Sequence, residues 1–400
     1  MKLKKITGKI HLWLGLASGL VVLVLGITGC LLVFEEEICT LMDYGVFKQV
    51  KKEEAPYAPP STVFTIADNA LAGKKIARAY YIVSVSKPRV NAFWALDSSR
   101  QYHAVLQNPY TGKVIGNYAY KSSFFAVVTH LHTSLGIGKT GTLLIKYATL
   151  IFVVLMITGI ILWKPASKKG YKQRFTIKWN ASGKRLNYDL HNVLGFYMSW
   201  IAIFIALTGL VWSFEWMNNS VQWIANGGKT IPYKKEKIQS DTTLLAGNAW
   251  TGPDYKIIDS LFAIRTQNTG DMNGIRVYKP FSAQDVLRFE VETKKGSNYL
   301  RTDDYAYDQY TGKLLKEQKF ADHSNGEQIR RMNYYIHVGS IGGITGKILA
   351  FFASLVAASL PITGFLIWKG RRKKGKGNKK TSPGIKTENS LNGLHLASNR

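Results

Sequence analysis

The chain of 400 residues carries 53 lysines and arginines against 25 acidic residues, a formal net charge of +28. Such a balance suits nucleic-acid binding, but about +21 of it lies in three short segments flanking apolar stretches, where membrane topology accounts for it better, so no nucleic-acid partner is expected. Two cysteines, Cys30 and Cys39, occur outside any CxxCH pattern, which argues against covalent c-type haem attachment.

The first apolar stretch, about 12–34, follows Lys2, Lys4, Lys5 and Lys9 and opens on HLWLG at His11–Gly15. It closes on Thr28-Gly29, and Glu35 follows. Residues 1–30 also read as a leader ending in a lipoprotein-like box, Ile27-Thr28-Gly29-Cys30. Thr-Gly recurs at the same place in every apolar stretch, however, so the dipeptide belongs to the helix pattern.

Residues 36–122 hold a helix over 62–73, with Ser61 as a candidate cap, and strands at 77–85, 89–96 and 101–107. The turn Asn108-Pro109-Tyr110-Thr111-Gly112-Lys113 then leads to a last strand from Val114, Gly112 supplying the positive φ of a hairpin. The segment 123–165 carries His130 and His132 and a second apolar stretch, 143–163. A basic linker, 166–186, separates it from a third span within 187–215, which opens on HNVLG at His191–Gly195.

Residues 216–330 repeat the soluble pattern: a helix near 254–265, strands at 274–279, 285–292 and 299–307, then a second YTGK turn with Gly312. The segment 331–369 carries His337 and the fourth span, about 347–368. A basic tail, 370–400, lacks apolar periodicity, reads as disordered, and contains His395, to which no role is assigned. Each stretch exceeds the ~20 residues needed to cross a hydrocarbon core ~30 Å thick.

The halves correspond. His11, Thr28-Gly29 and Glu35 match His191, Thr208-Gly209 and Glu215 at an offset of 180 residues. His132, Thr140-Gly141 and Thr158-Gly159 match His337, Thr345-Gly346 and Thr363-Gly364 at an offset of 205. The expected fold is a membrane α-helical protein with four transmembrane helices, an internal two-fold duplication and two outer α+β domains. The positive-inside rule places the N-terminus, linker and tail in the cytoplasm and both large segments outside.

The histidines then fall on two levels, His11 with His191 at the cytoplasmic ends and His132 with His337 near the outer face. Singly, each has an ordinary reading as an interfacial anchor. Jointly, facing imidazoles between apolar helices are what a six-coordinate b-type haem requires, and the reading is two bis-histidine haems. Zinc is disfavoured, since structural sites want four ligands and no cysteine is near. His130 is held as a spare ligand or supporting residue, and His103 and His323 read as surface positions. Gly15, Gly19, Gly26, Gly195, Ala206 and Gly209 allow close approach of helices or of a macrocycle. Glu35–Glu37 and Glu215 read as solvated helix ends, with a proton or cation site as the alternative.

These motifs (HLWLG, LHTSLG at 131–136 with ITGIILW at 157–163, LHNVLG at 190–195 with LTGL at 207–210, and IHVGSIGG at 336–343 with ITGFLIW at 362–368) resemble the PepSY-associated transmembrane family of bacterial iron-regulated inner-membrane proteins. The YTGK turns resemble the PepSY hairpin, and the resemblance covers about 1–370. It implies two periplasmic PepSY-like domains and, in members resembling ferric-siderophore reductases, bound haem b. The implied activity is electron relay across the membrane to a ferric siderophore or other ferric chelate. No nucleotide or flavin fingerprint occurs, so the donor is separate, a quinone or a cytoplasmic reductase. A non-redox PepSY protein (peptide binding, protease inhibition or envelope sensing) and a metal-uptake accessory protein are the rival readings. For chelate docking only Trp94, Trp216 and Trp223, with the tyrosines, are candidates.

Overall fold

The structure, a computed structural model, describes residues 2–165, 171–232, 237–267, 270–294 and 298–377. In chain order the helices are α1 (Lys2–Val33), α2 (Glu35–Leu41), α3 (Pro60–Ala70), α4 (Phe124–Ser134), α5 (Gly138–Trp163), α6 (Lys172–Phe175), α7 (Gly183–Asp189), α8 (Gly195–Ser213), α9 (Glu215–Ala225), α10 (Tyr255–Thr266), α11 (Asn325–His337) and α12 (Gly343–Gly377). Among the described residues four helical segments, Leu3–Val33, Gly138–Trp163, Gly183–Ser213 and Ser340–Arg372, are long and apolar enough to cross a membrane.

The third of these spans is compound. A π-helical turn, Leu190–Leu194, joins α7 to α8 and carries His191. Such turns insert an extra residue into the helical ladder and are frequent at functional sites. The fourth span runs on into the basic tail as far as Gly377, so the tail is not disordered from Gly370 as its composition led one to expect. Residues 378–400, with His395, lie outside the described residues.

The four spans form one bundle: α1 packs on α5 and α12, and α8 on the same two helices. Gly26 is the closest crossing. A Cβ there would lie 2.7 Å from the Ser354 carbonyl oxygen and 2.8 Å from Ala358, so only glycine lets α1 and α12 meet.

Eight strands, β1 (Ile76–Ser84), β2 (Asn91–Asp97), β3 (Tyr102–Gln107), β4 (Val114–Tyr118), β5 (Met272–Lys279), β6 (Leu287–Thr293), β7 (Arg301–Tyr307) and β8 (Leu314–Gln318), form one antiparallel sheet in the order β4-β3-β2-β1-β5-β6-β7-β8. Each soluble segment contributes a meander, and β1 pairs with β5 to fuse them, Tyr81 standing opposite Val277. The inner face is one shared core in which Phe64, Tyr81, Phe93, Ile258, Ile275 and Phe289 are fully buried. Helices α3 and α10 cover it and are tied together, Ser61 donating from its backbone N–H and its hydroxyl to Asp259 at 2.9 and 2.5 Å. Ser61 therefore does not cap α3. It lies in the first turn, after Pro60 has opened the helix, where a missing N–H costs nothing.

The sheet sits against one end of the bundle. Lys87 and Arg89, in the β1–β2 connection, pair with Glu36 of α2, and Lys347 of α12 pairs with Glu37. Glu36 and Glu37 are thus bound in ion pairs, a correction to their reading as solvated helix ends. Glu215, at the start of α9, is exposed as expected.

Candidate functional site

Each of the four repeat-matched histidines meets the threonine of a Thr-Gly dipeptide on another helix. His11 Nδ1 lies 2.9 Å from Thr158 Oγ1, and His132 Nδ1 lies 2.8 Å from Thr28 Oγ1. In the second half His191 Nδ1 lies 2.9 Å from Thr363 Oγ1, and His337 Nδ1 2.9 Å from Thr208 Oγ1. The contacts are reciprocal: α1 offers a histidine to α5 and accepts His132, which precedes α5.

The direction of these bonds follows from where each threonine proton goes. Thr28 donates to the Val24 carbonyl at 2.7 Å, Thr158 to Val154 at 2.8 Å, Thr208 to Ile205 at 2.7 Å and Thr363 to Ser359 at 3.0 Å. With its single proton committed to a helix carbonyl, the hydroxyl only accepts from the imidazole. Each Nδ1 therefore carries the hydrogen, and each Nε2 presents a bare lone pair. His337 Nδ1 also lies 3.0 Å from the Ile205 carbonyl, which can only accept, and this fixes the same tautomer.

The glycine of each dipeptide completes the seat. A Cβ at Gly29, Gly159, Gly209 or Gly364 would lie 3.6, 3.4, 3.7 or 3.2 Å from the Cε1 of the seated histidine. Thr-Gly is thus a histidine clasp, with an acceptor for one ring atom and room for the next.

The clasps set the rings facing across the bundle. The His11 and His191 centroids are 6.4 Å apart, and those of His132 and His337 are 6.2 Å apart. An imidazole nitrogen sits ~2 Å from a metal it ligates, with the ring centre roughly 1 Å beyond, so two imidazoles on one ion have centroids about 6 Å apart. No group of three or more His, Cys, Asp or Glu able to hold a metal forms among the described residues. Two neutral imidazoles per level suit a metal whose other positions are filled by a macrocycle, as in haem. Thr28 and Thr208 lie seventeen residues beyond His11 and His191 on their spans, which puts the two levels about 26 Å apart. Between them Met156, Ala202 and Ala353 form an apolar cluster with Phe152, Met198 and Leu360.

The structure brings together four of the five histidines expected at the site. His130 is exposed on α4, and the outer ring pair is His132 with His337. His103 is bonded to Asp97 at 2.8 Å, and His323 is buried at 7% exposure rather than on the surface, because it packs beneath the start of α11 and its carbonyl accepts from Gln328. The clasp threonines escaped the sequence reading, as did Asn187 and Asn333, which donate to the Thr363 and Thr208 carbonyls at 3.0 and 3.1 Å. Trp212, whose ring lies 5.1 Å from His337, was also missed. The available signal was Thr-Gly itself, at the same distance from the matching histidine in both halves.

Above the outer pair, between sheet and bundle, lies a cavity of about 480 Å³ lined by Glu35, Trp94, Glu292, Tyr334, Tyr335 and Lys347 among others. Val338, next to His337, also lines it. Burial raises the Glu292 carboxyl, Arg276 opposing this in part, and burial with the Glu292 charge lifts the Tyr335 phenol to about 12. Trp216 and Trp223 stand exposed on α9, away from this lining.

No curated protein matches the chain. The family model of the PepSY-associated TM region matches residues 9–371, nearly the whole chain, and the protein belongs to that family.

Proposed function

We propose that the protein is a haem b electron relay of the bacterial inner membrane that reduces a ferric chelate on the periplasmic side. The observation that carries this reading is the pair of facing imidazoles at each level, all four clasped with Nε2 bare. Haem b held by His11 with His191, and by His132 with His337, would supply one-electron chemistry at each level.

The chain's own residues orient and insulate. Thr28, Thr158, Thr208 and Thr363 hold each ring in the tautomer that ligates, as outer partners of metal-bound histidines do. The apolar cluster around Met156 and Ala353 keeps water from the space between levels. In this reading the chain is a duplicated unit with its pseudo-two-fold along the membrane normal, and the two PepSY-like domains expected in the periplasm are halves of one shared sheet and core. Both termini and the basic linker are cytoplasmic. The inner pair then faces the donor, a quinone or a cytoplasmic reductase. The ferric chelate docks on the sheet side of the outer pair, which Val338 connects to the cavity between sheet and bundle. Oxygen donors hold Fe(III) far better than the softer Fe(II), so one electron loosens the metal.

The test is the absorption spectrum of detergent-purified protein from haem-replete cells, oxidised and dithionite-reduced. A Soret band with a sharp reduced α band is expected. Their absence ends the relay reading and moves the protein to a non-redox PepSY role.

A further inference from the structure

The sheet has one face sealed by α3 and α10 and one only partly covered, which meets the bundle around Ile82, Ala92 and Gly274 and is open beyond it. Tyr81, Phe93, Val277 and Phe289 lie under α3 and α10, and successive strand residues alternate, so their neighbours point away from that core. On the open face Trp94, Tyr80 and Tyr278 stand side by side across β2, β1 and β5, Tyr80 being opposite both of the others. The Tyr80 and Tyr278 rings are 5.4 Å apart, and Arg288 lies over the Tyr278 ring at 4.8 Å. Tyr102 and Arg78 extend the row, both opposite Leu96.

A groove of about 830 Å³ runs over these rings, within the range of roughly 300–1,000 Å³ typical of small-molecule sites. One wall is the strap Lys237–Gln239, which Ser240 anchors to the β5–β6 turn by bonds to Gln284 and Asp285 at 3.1 and 2.7 Å. Trp94 lines both this groove and the cavity above the outer histidine pair, so the two spaces adjoin.

The lining is basic. Arg78, Lys237, Lys279 and Arg288 face the groove against one carboxylate, Asp285, which is committed to the backbone N–H groups of Phe281 and Ser282 at 2.7 and 2.9 Å. Lys279 is paired with Asp68, and Arg288 with Glu290 and Asp304. Arg78 and Lys237 have no ion pair among the described residues. Neighbouring phenols, tilted 43° to each other, and an indole one strand away, with uncompensated cations, select a ligand that is both aromatic and negative.

We propose that this groove binds aryl-bearing, anionic metal chelates of the catecholate type in preference to neutral hydroxamates. The ligand class rests on the ferric-chelate reading above, whereas its test does not need haem or reduction. Full-length protein in detergent is titrated calorimetrically with the Ga(III) complex of a tripodal tris-catecholate, which carries three negative charges. The Ga(III) complex of a tripodal tris-hydroxamate of similar size, which is neutral, serves as comparison. Gallium has the charge of ferric iron and is not reduced, so binding alone is read.

The catecholate complex is expected to bind at least about ten-fold more tightly, and Arg78→Glu and Tyr80→Ser each to weaken it about ten-fold. Added salt weakens it further. Should Arg78→Glu fail to fold, Lys237→Glu on the strap carries the same expectation. Equal binding of the two complexes overturns the proposal, as does binding unchanged in Arg78→Glu and Lys237→Glu. Binding that holds in a protein without haem bands leaves this site standing and removes the relay. Haem bands without selective binding do the reverse.

Discussion

Thr28 Oγ1 accepts a hydrogen bond from His132 Nδ1 at 2.8 Å while donating its own to the Val24 carbonyl at 2.7 Å. One hydroxyl thereby satisfies a helix carbonyl and fixes the tautomer of a ring on another helix. Thr28→Val keeps the shape, removes the hydroxyl acceptor and leaves the ring N–H only the Leu25 carbonyl. Haem affinity is expected to fall about 10–100-fold, as for other residues that orient a metal-bound histidine. Thr28→Ser is expected to restore it. Haem titration into protein made under haem starvation reads the effect, and wild-type affinity in Thr28→Val would sink the clasp.

The glycine half of the clasp gives a graded expectation. A Cβ at Gly364 would stand 3.2 Å from His191 Cε1, closer than most real contacts, whereas at Gly209 it would stand 3.7 Å from His337 Cε1, an ordinary distance. Gly364→Ala is expected to shift the His191 ring and cost about 1–3 kcal/mol through overpacking. Gly209→Ala is expected to be near neutral. Thermal midpoints and reduced α-band positions of the two variants, compared side by side, check the order. Equal effects would mean that the seats do not differ as the distances say.

Much of this was legible beforehand, and the parts that were not share a cause. Strands fell within a few residues of their observed limits, because alternating Tyr, Val, Ile and Phe bounded by Gly and Pro is a local signal. The positive φ at Gly112 and Gly312, 71° and 69°, was readable from YTGK alone. His11 and Thr158 are 147 residues apart, however, and which threonine meets which histidine depends on the order of helices in the bundle. The β1–β5 pairing is hidden in the same way, since each meander reads as complete by itself. His323 was misplaced because burial beneath a helix start leaves no periodic trace in the residues around it.

The link between sheet and bundle has a pH signature. Burial pushes the Glu36 carboxyl up, but the hydrogen bond and charge of Lys87, with Arg89, outweigh it and hold the group at about 2, below its ordinary 4.5. The folded state therefore binds this proton less readily than the unfolded chain. The resulting stability is complete above about pH 4.5 and fades as pH falls toward 2. Glu36 is 41% exposed, so solvent screening limits the effect to about 1 kcal/mol or less. The difference in thermal midpoint between wild type and Glu36→Gln is expected at pH 7 and should shrink toward pH 3. A difference that persists unchanged to pH 3 would assign the stabilisation to something other than this carboxylate.

Under the proposed relay, the facing pairs also predict how haem is lost. His11 and His191 face each other 6.4 Å apart, as do His132 and His337 at 6.2 Å, and each pair lies about 26 Å from the other. No imidazole reaches from one level to the other, so each site depends on its own two rings. His11→Ala and His191→Ala are expected to remove the same spectral component, and His132→Ala and His337→Ala the other. Each single variant should retain about half of the pyridine haemochrome content, because bis-imidazole ligation uses one ring on each face. His11→Ala combined with His191→Ala should lose no more than either alone, whereas His11→Ala combined with His337→Ala should lose nearly all. His130→Ala, on an exposed ring, should keep the full content. If any one of the four substitutions empties both sites, or if His11→Ala and His132→Ala remove the same component, the histidines pair otherwise than by level. The clasps would then place the rings without defining the sites.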